Sequence, residues 1–399
     1  MSLEKENTSV NEESIYDNSN EINNWDELEI SPDLLRGIYA YGFEKPSPIQ
    51  RKAIKPLVSG KDVIAQAQSG TGKTATFTIG VLSHINIDNK FPQALILSPT
   101  HELSIQTASV IKGIGIMLNG LKIQTLVGGS PIDEDITSLK TNTPHILVGC
   151  PGRVYDMMRR NQFDAKKIKI VILDEADEML SSGFKEQVYN IFQYFKSDIQ
   201  VALFSATLPS YINGITSKFM RDPVKIYVKA EQLTLEGISQ YYIAVEDDKQ
   251  KYLTLKDLYG FMSVSQCIIY ANSVKRVSDL YDAMIEDGFP VCRIHSNMEK
   301  VDRDVAFAEF RTGKHRVLIS SNVTSRGIDI QQVSVVINFD IPKDIHNYLH
   351  RIGRSGRWGR KGVGINLITR RDISKLKEIE AYYSCQINEM PSNFDILRK

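Results

Sequence analysis

At 399 residues the chain is too long for one ordinary core, and its length points to two or three domains. Hydrophobic residues make up 42% and charged residues 24%, which suits globular burial. The formal net charge is zero, and this excludes a chain that is basic or acidic as a whole. No run approaches the roughly 18 consecutive apolar residues of a membrane span, and MSLEKENTSVNEE at the start lacks the apolar core of a secretory signal.

Charge is unevenly spread. Residues 1–23 hold six acidic residues against one lysine, leaving 47 basic and 42 acidic residues on the remainder. That first stretch is rich in Asn, Ser and Glu without apolar periodicity and reads as a disordered acidic tail. The mildly basic remainder permits a phosphate-backbone partner without requiring one. Cys150, Cys267, Cys292 and Cys385 lie far apart with no CxxC pair, so neither a disulfide framework nor a zinc site is expected. A reducing cytoplasm or nucleus follows as the expected compartment.

From residue 24 onward one arrangement recurs. A short β-branched or aliphatic run is followed at once by small or polar residues, then by a helical pattern. DVIA precedes QAQSGTGKT, ALIL precedes SPTHEL, HILVG precedes CPGR, VILD precedes EAD and VALF precedes SAT. The pattern then restarts with CIIY before ANS, VCRI before HSN, RVLI before SSN and SVVIN before FDIP. Alternating strand and helix predicts an α/β fold of doubly wound, mainly parallel sheets. Ligands in such sheets sit beyond the carboxyl ends of the strands, where all these polar segments fall. VKAEQLTLEGI (Val228–Ile238) has no sustained period. It divides the chain into domains at 24–229 and 238–399, with 230–237 as a short linker.

AQSGTGKT (Ala67–Thr74) lies between a predicted strand and the helical TATFTIGVL, the setting of a phosphate-binding loop, with Ala67 where a glycine is usual. Gly70 and Gly72 let backbone N–H groups turn toward phosphates, with Thr71 and Ala75 flanking them. Lys73 reaches the terminal phosphates, and Thr74 offers a hydroxyl to Mg²⁺. VILDEADEML (Val171–Leu180) then ends an apolar strand in Asp174, Glu175 and Asp177. Like charges so close repel unless a cation answers them. A P-loop site supplies that cation: Asp174 holds Mg²⁺, partly through water, and Glu175 orients the attacking water, which makes this a hydrolase site. An acidic helix N-terminus, worth about 0.3–1 kcal/mol, accounts for one such acid but not for three beside a P-loop. His346 and His350 have the i, i+4 spacing of a metal pair but lack an evident third ligand, so no metal is expected there.

DEAD at Asp174–Asp177, SAT at Ser205–Thr207 and HRIGRSGR at His350–Arg357 together resemble the DEAD-box RNA helicases. GFEKPSPIQ (Gly42–Gln50), PTHEL (Pro99–Leu103), CPGR (Cys150–Arg153) and RGID (Arg326–Asp329) extend the resemblance from about Trp25 to the C-terminus. YAYGFEKPS, DEADEML, LTLEGI and NEMP are most similar to the translation-initiation branch of that family. The resemblance implies two RecA-like domains, with ATP and Mg²⁺ as ligands. Gln50 would read the adenine edge with Phe43 and Lys45 nearby, an amide offering one donor and one acceptor to complementary groups. Ser205, Thr207 and His350 would couple Asp177 and the γ-phosphate state to domain closure. Asp329 would approach the ribose, and Arg354 and Arg357 would be arginine fingers from the second domain.

RNA contacts are implied at Pro99, Thr100, Gly129, Gly152, Arg153, Asn272, Arg303 and Ser321, gripping successive phosphates and 2′-hydroxyls. The implied activity is an RNA-stimulated ATPase that separates short duplexes in translation initiation. The implied partners are single-stranded RNA or short RNA duplexes and an initiation scaffold or other helicase-activating protein, around a monomeric enzyme without membrane contact. An ATP-gated RNA clamp of the exon-junction or rRNA-processing type uses the same residues, and a small-molecule nucleotide kinase is a third class. The chain departs from the family pattern at His101, Ser104, Lys300 and Asn322, where Arg, Ala, Gln and Asp are usual.

Overall fold

Runs of Val, Ile and Leu buried on both faces form most of the strands, as parallel sheets covered by helices require. The computed structural model describes residues 21–67, 70–181, 183–208, 211–227, 238–261, 266–322, 333–355 and 362–391. The first lobe contains β1 (Val63–Gln66), β2 (Ala94–Leu97), β3 (Ile123–Leu126), β4 (Ile146–Gly149), β5 (Ile170–Asp174), β6 (Gln200–Ser205) and β7 (Val224–Tyr227). They form one sheet in the order β3-β4-β2-β5-β6-β1-β7, and its pairings are parallel.

The second lobe contains β8 (Ile238–Ala244), β9 (Gln266–Tyr270), β10 (Val291–Ile294), β11 (Val317–Ser320), β12 (Val333–Asn338), β13 (Gly362–Ile368) and β14 (Asn388–Glu389). Their order is β10-β11-β9-β12-β13-β8-β14, again with parallel pairings. Each sheet carries a separate buried apolar cluster on each face. The expected architecture of two doubly wound α/β units is therefore the observed one.

Every strand named from the sequence is present. The pattern passed over β3, β7, β8, β13 and β14. Of these, β3, β7 and β8 mix apolar with polar residues and are only partly buried, β14 is two exposed residues, and β13, though buried, is broken by Gly362 and Gly364. β3 closes one edge of its sheet and β8 lies next to an edge, where one face stays wet and a continuous apolar run is not needed. Ile238, read as the first residue of the second domain, opens β8. Residues 1–20 and the linker 230–237 lie outside the described residues. The last positions of the expected disordered tail are held in place instead. Ile22 is 1% exposed, its N–H donates to Arg51 O at 3.1 Å, and Glu21 faces Arg51 and Lys52 at 3.5 and 3.7 Å. One isoleucine among polar neighbours has no periodicity to betray it.

Local chemistry sets where the helices start. The Pro48–Val58 helix opens with Pro48 and a Ser47/Gln50 capping box, and the His101–Ile114 helix is capped by Thr100. Ser273 caps Val274–Glu286, and Asp344 caps Ile345–Ile352. Thr100, Ser273 and Asp344 each satisfy an amide that the first turn leaves without a partner, and Gln50 Oε1 accepts the Ser47 N–H. No helix among the described residues is long and apolar enough to cross a membrane.

Candidate functional site

Three adjacent strands, β1, β6 and β5, present the P-loop, SAT and DEAD segments at their carboxyl ends. Register brings them together: Gln66 pairs with Ser205 and Asp174 with Phe204. Ala67 N–H donates to Ser205 O at 3.0 Å, and Gln66 Nε2 to Ala206 O at 3.3 Å.

The P-loop glycines are needed for shape. Gly70 and Gly72 have φ of 84° and 103°, a region that L side chains rarely adopt. A Cβ on Gly72 would stand 2.7 Å from Gln50 Nε2 and 3.1 Å from Ser47 Oγ. Ser47 Oγ donates to Thr71 O at 2.7 Å, and Ser47 N–H donates to Gln50 Oε1 at the same distance. The amide expected to read adenine is thus buried and clamped directly behind the phosphate loop. Ser47 was not singled out from the sequence, yet SPIQ has the spacing of a capping box and would have shown it. Phe43 is half-buried against Tyr41 and Trp25, with ring centroids 5.1 and 6.2 Å away. Lys45 is exposed. Thr74 is half-buried and Ala75 buried on the helix that continues from the loop.

Lys73, Asp174 and Glu175 converge. The Lys73 ammonium is buried and makes no hydrogen bond, with Glu175 Oε1 3.8 Å away. Burial pushes the Asp174 carboxyl up to about 7; the Glu175 charge adds to the rise and the Lys73 cation opposes it. Glu175 is left-handed at φ 50°, a strain of about 1–3 kcal/mol of the kind that accumulates at functional sites. Its N–H donates to Asp174 Oδ1 at 3.0 Å. A buried ammonium without an acceptor, two positive-φ glycines and a desolvated carboxyl fit an Mg²⁺-bound triphosphate.

The coupling residues form one cluster across the lobes. Asp177 Oδ2 accepts from Thr207 Oγ1 at 2.6 Å, and His350 Nε2 of the second lobe lies 3.1 Å from the same oxygen. Ser205 Oγ accepts from the N–H groups of Asp177 (3.4 Å) and Thr207 (3.3 Å). Ala206 packs into an apolar cluster of the second lobe, a contact that the sequence did not announce. Glu175, Asp177 and His350 bring ligand-type atoms within 4.8 Å of one another. Arg354 is 2% exposed, and its Nε donates to His350 O at 3.2 Å. Asp329 and Arg357 lie outside the described residues.

The expected RNA residues are distributed differently. Pro99 is buried, and Thr100 is spent partly as a helix cap. Arg153 turns inward, to Ser130 O at 2.8 Å and to the Asp135 carboxylate, and so holds the turn bearing the exposed Gly129, whose φ is 85°. Gly152 is exposed in the first turn of the Pro151–Arg159 helix. Asn272 is engaged at both ends, donating to Ile341 O (2.7 Å) and accepting from Arg351 Nη2 (2.8 Å). Ser321 N–H donates to Ile294 O at 3.4 Å. Arg303 pairs across the lobes with Glu102 at 3.4 Å.

Of the departures, His101 is buried in the first turn of its helix, and Ser104 Oγ donates to Thr100 O at 3.0 Å. Asn322 Oδ1 accepts from Arg351 Nε and Nη2 at 2.9 and 2.7 Å. The side chain of Lys300 lies outside the described residues. Arg351, absent from the sequence-derived site, is fully buried beside it.

Residues 47–215 match the DEAD/DEAH box helicase family and residues 250–359 the helicase conserved C-terminal domain. The chain is 50% identical over 372 residues to eukaryotic initiation factor 4A of Caenorhabditis elegans, covering 93% of this chain and 92% of that one. It is also 50% identical over 373 residues to the ATP-dependent RNA helicase eIF4A of Kluyveromyces lactis, covering 94% of each. Among solved structures, S. cerevisiae Dbp5 bound to RNA and ADP BeF3 matches with a TM-score of 0.88 at 35% identity, covering 94% of this chain and 98% of that one.

Proposed function

This chain belongs to the DEAD/DEAH box helicase family, and from that premise we propose that it is an RNA-stimulated ATPase that locally unwinds short RNA duplexes in translation initiation. The initiation-factor helicases at 50% identity support that setting over an exon-junction or rRNA-processing clamp.

ATP enters against Phe43, Lys45 and Gln50, with its phosphates over Gly70, Thr71, Gly72, Lys73 and Ala75. Thr74 and Asp174 would hold Mg²⁺, which when bound would neutralise charge on the phosphates. Glu175 takes up and orients the attacking water. Arg354 and Arg357 swing in with the second lobe and stabilise charge on the transferring phosphoryl group, as does Asp329 the ribose. RNA lies across both lobes along Pro99, Thr100, Gly129, Gly152, Arg153, Asn272, Arg303 and Ser321. Closure bends the bound strand. Stacking steps of about 0.6–2.2 kcal/mol, as in DNA, mean that one closure opens a few pairs and no more. Phosphate release reopens the cleft. A scaffold that favours closure would activate the enzyme in the cytoplasm.

The observation that carries this reading is the shared Asp177 oxygen, which takes Thr207 from one lobe and His350 from the other. It gives the DEAD segment a direct sense of whether the lobes are closed. Glu175→Gln tests the assignment. RNA-stimulated ATP turnover should fall on the order of 10²-fold with ATP still bound, and unchanged turnover refutes it.

A further inference from the structure

Two asparagines face each other inside the second sheet. Asn338 ends β12, Asn366 lies on β13, and the two are register partners with no exposure. Buried amides are costly unless every donor and acceptor is met, and here they are met in a chain. Asn338 Nδ2 donates to Asn366 Oδ1 at 2.9 Å. Asn366 Nδ2 donates to Tyr241 O at 3.0 Å and to Tyr348 Oη at 3.2 Å. Tyr348 Oη donates in turn to Gln240 Oε1 at 2.8 Å. At the other end, Asn338 Oδ1 accepts from Arg351 Nη1 at 3.1 Å.

Tyr348 and Arg351 are both on the Ile345–Ile352 helix, three residues apart and so on one side of it. That helix is therefore tied to the sheet at two points by a single amide pair. His350 falls between them in sequence and, at about 100° per residue, projects away from the sheet toward Asp177. One tie would let the helix roll about its axis; two ties hold its angle.

We propose that Asn338, Asn366 and Tyr348 are positioning residues that fix the roll of this helix, and through it the approach of His350 and Arg354 to the nucleotide. The lever is steep. A roll of about 10° moves a side-chain tip some 6 Å from the axis by about 1 Å, and a displacement of that size can cost on the order of 10² in rate. The Arg351 cation strengthens the tie: its acceptors are the neutral oxygens of Asn272, Asn322, Asn338 and Asp340 O, and its guanidinium lies 5.1 Å over the Tyr270 ring.

The inference rests on the helicase reading, and the test separates the two. Wild-type protein is assayed first: without RNA-stimulated ATP turnover, the helicase reading and this one both fall. Given that stimulation, Tyr348→Phe and Asn366→Leu should each lower RNA-saturated kcat by about tenfold or more, while RNA-free ATP affinity stays within about twofold, because the first lobe is untouched. Ile365→Val, on the same strand and equally buried, is the packing control. Rates are taken per folded molecule, below the melting transition of each variant. A lowered Tm with unchanged kcat in the first two, or an equal loss of kcat in the control, overturns the proposal and leaves the amides with a purely structural part.

Discussion

His350 Nε2 stands 3.1 Å from Asp177 Oδ2, across 173 positions of sequence, on the oxygen that Thr207 also reaches. With two donors on one buried oxygen, loss of either alters the other's geometry, and neighbours of this kind are not additive. His350→Ala should reduce RNA-stimulated turnover by about tenfold or more and leave ATP binding without RNA unchanged. Thr207→Val should do the same, and the double variant should cost less than the product of the two. Steady-state ATPase titrations against RNA check this; multiplicative losses would show that the contacts act independently.

Arg303 and Glu102 form a largely buried ion pair between lobes. Removing one partner of such a pair leaves the other charge desolvated and alone, which is the costly case. Glu102→Arg should weaken ATP-dependent RNA binding by about tenfold or more, and adding Arg303→Glu should restore part of it. RNA affinity with a non-hydrolysable nucleotide is the measurement. No recovery in the double variant would assign Arg303 to RNA rather than to Glu102.

Gly72→Ala tests the nucleotide cradle. The new methyl group would meet Gln50 and Ser47 at a backbone angle costing about 1–3 kcal/mol for a non-glycine residue. ATP affinity should drop by about tenfold or more, with the second lobe's melting transition unmoved. Calorimetric titration and a thermal scan read both effects.

His145 makes the first lobe sensitive to acid. Its Nδ1 accepts from Lys122 N–H at 3.0 Å and its Nε2 donates to Ile87 O at 3.0 Å, so only the neutral ring fits. Burial lowers its pKa, and Lys90 and Lys122 lower it further. The unfolded ring, near 6.5, therefore binds a proton that the native ring refuses. Stability from this site is present above pH 6.5 and is lost as the pH falls through the lower native value. Tm should decline between about pH 7 and pH 5, and His145→Gln should flatten that slope. His295, lowered for the same primary reason, keeps part of it.

Much of the site could be read from local pattern. The P-loop, the DEAD carboxylates and SAT each end a strand that the chain announces by an apolar run, and strand order places them side by side. Arg153, Asn272 and Arg303 show where such reading stops. Motif position marks them for RNA but does not show that each also has a protein partner, because an arginine or an amide takes a nearby desolvated acceptor that folding supplies. Ala206 and Arg351 were passed over for the converse reason: their partners lie on other strands or in the other lobe.

What the residues determined unaided is the chemistry at each strand end, since backbone turns, caps and phosphate cradles depend on neighbours within a few positions. Only the tertiary structure decided which groups from opposite lobes share an oxygen, which cations are already paired, and that two asparagines meet inside a sheet. Those choices depend on strand order and lobe docking, and side-chain contacts across such distances leave no periodic trace in the chain.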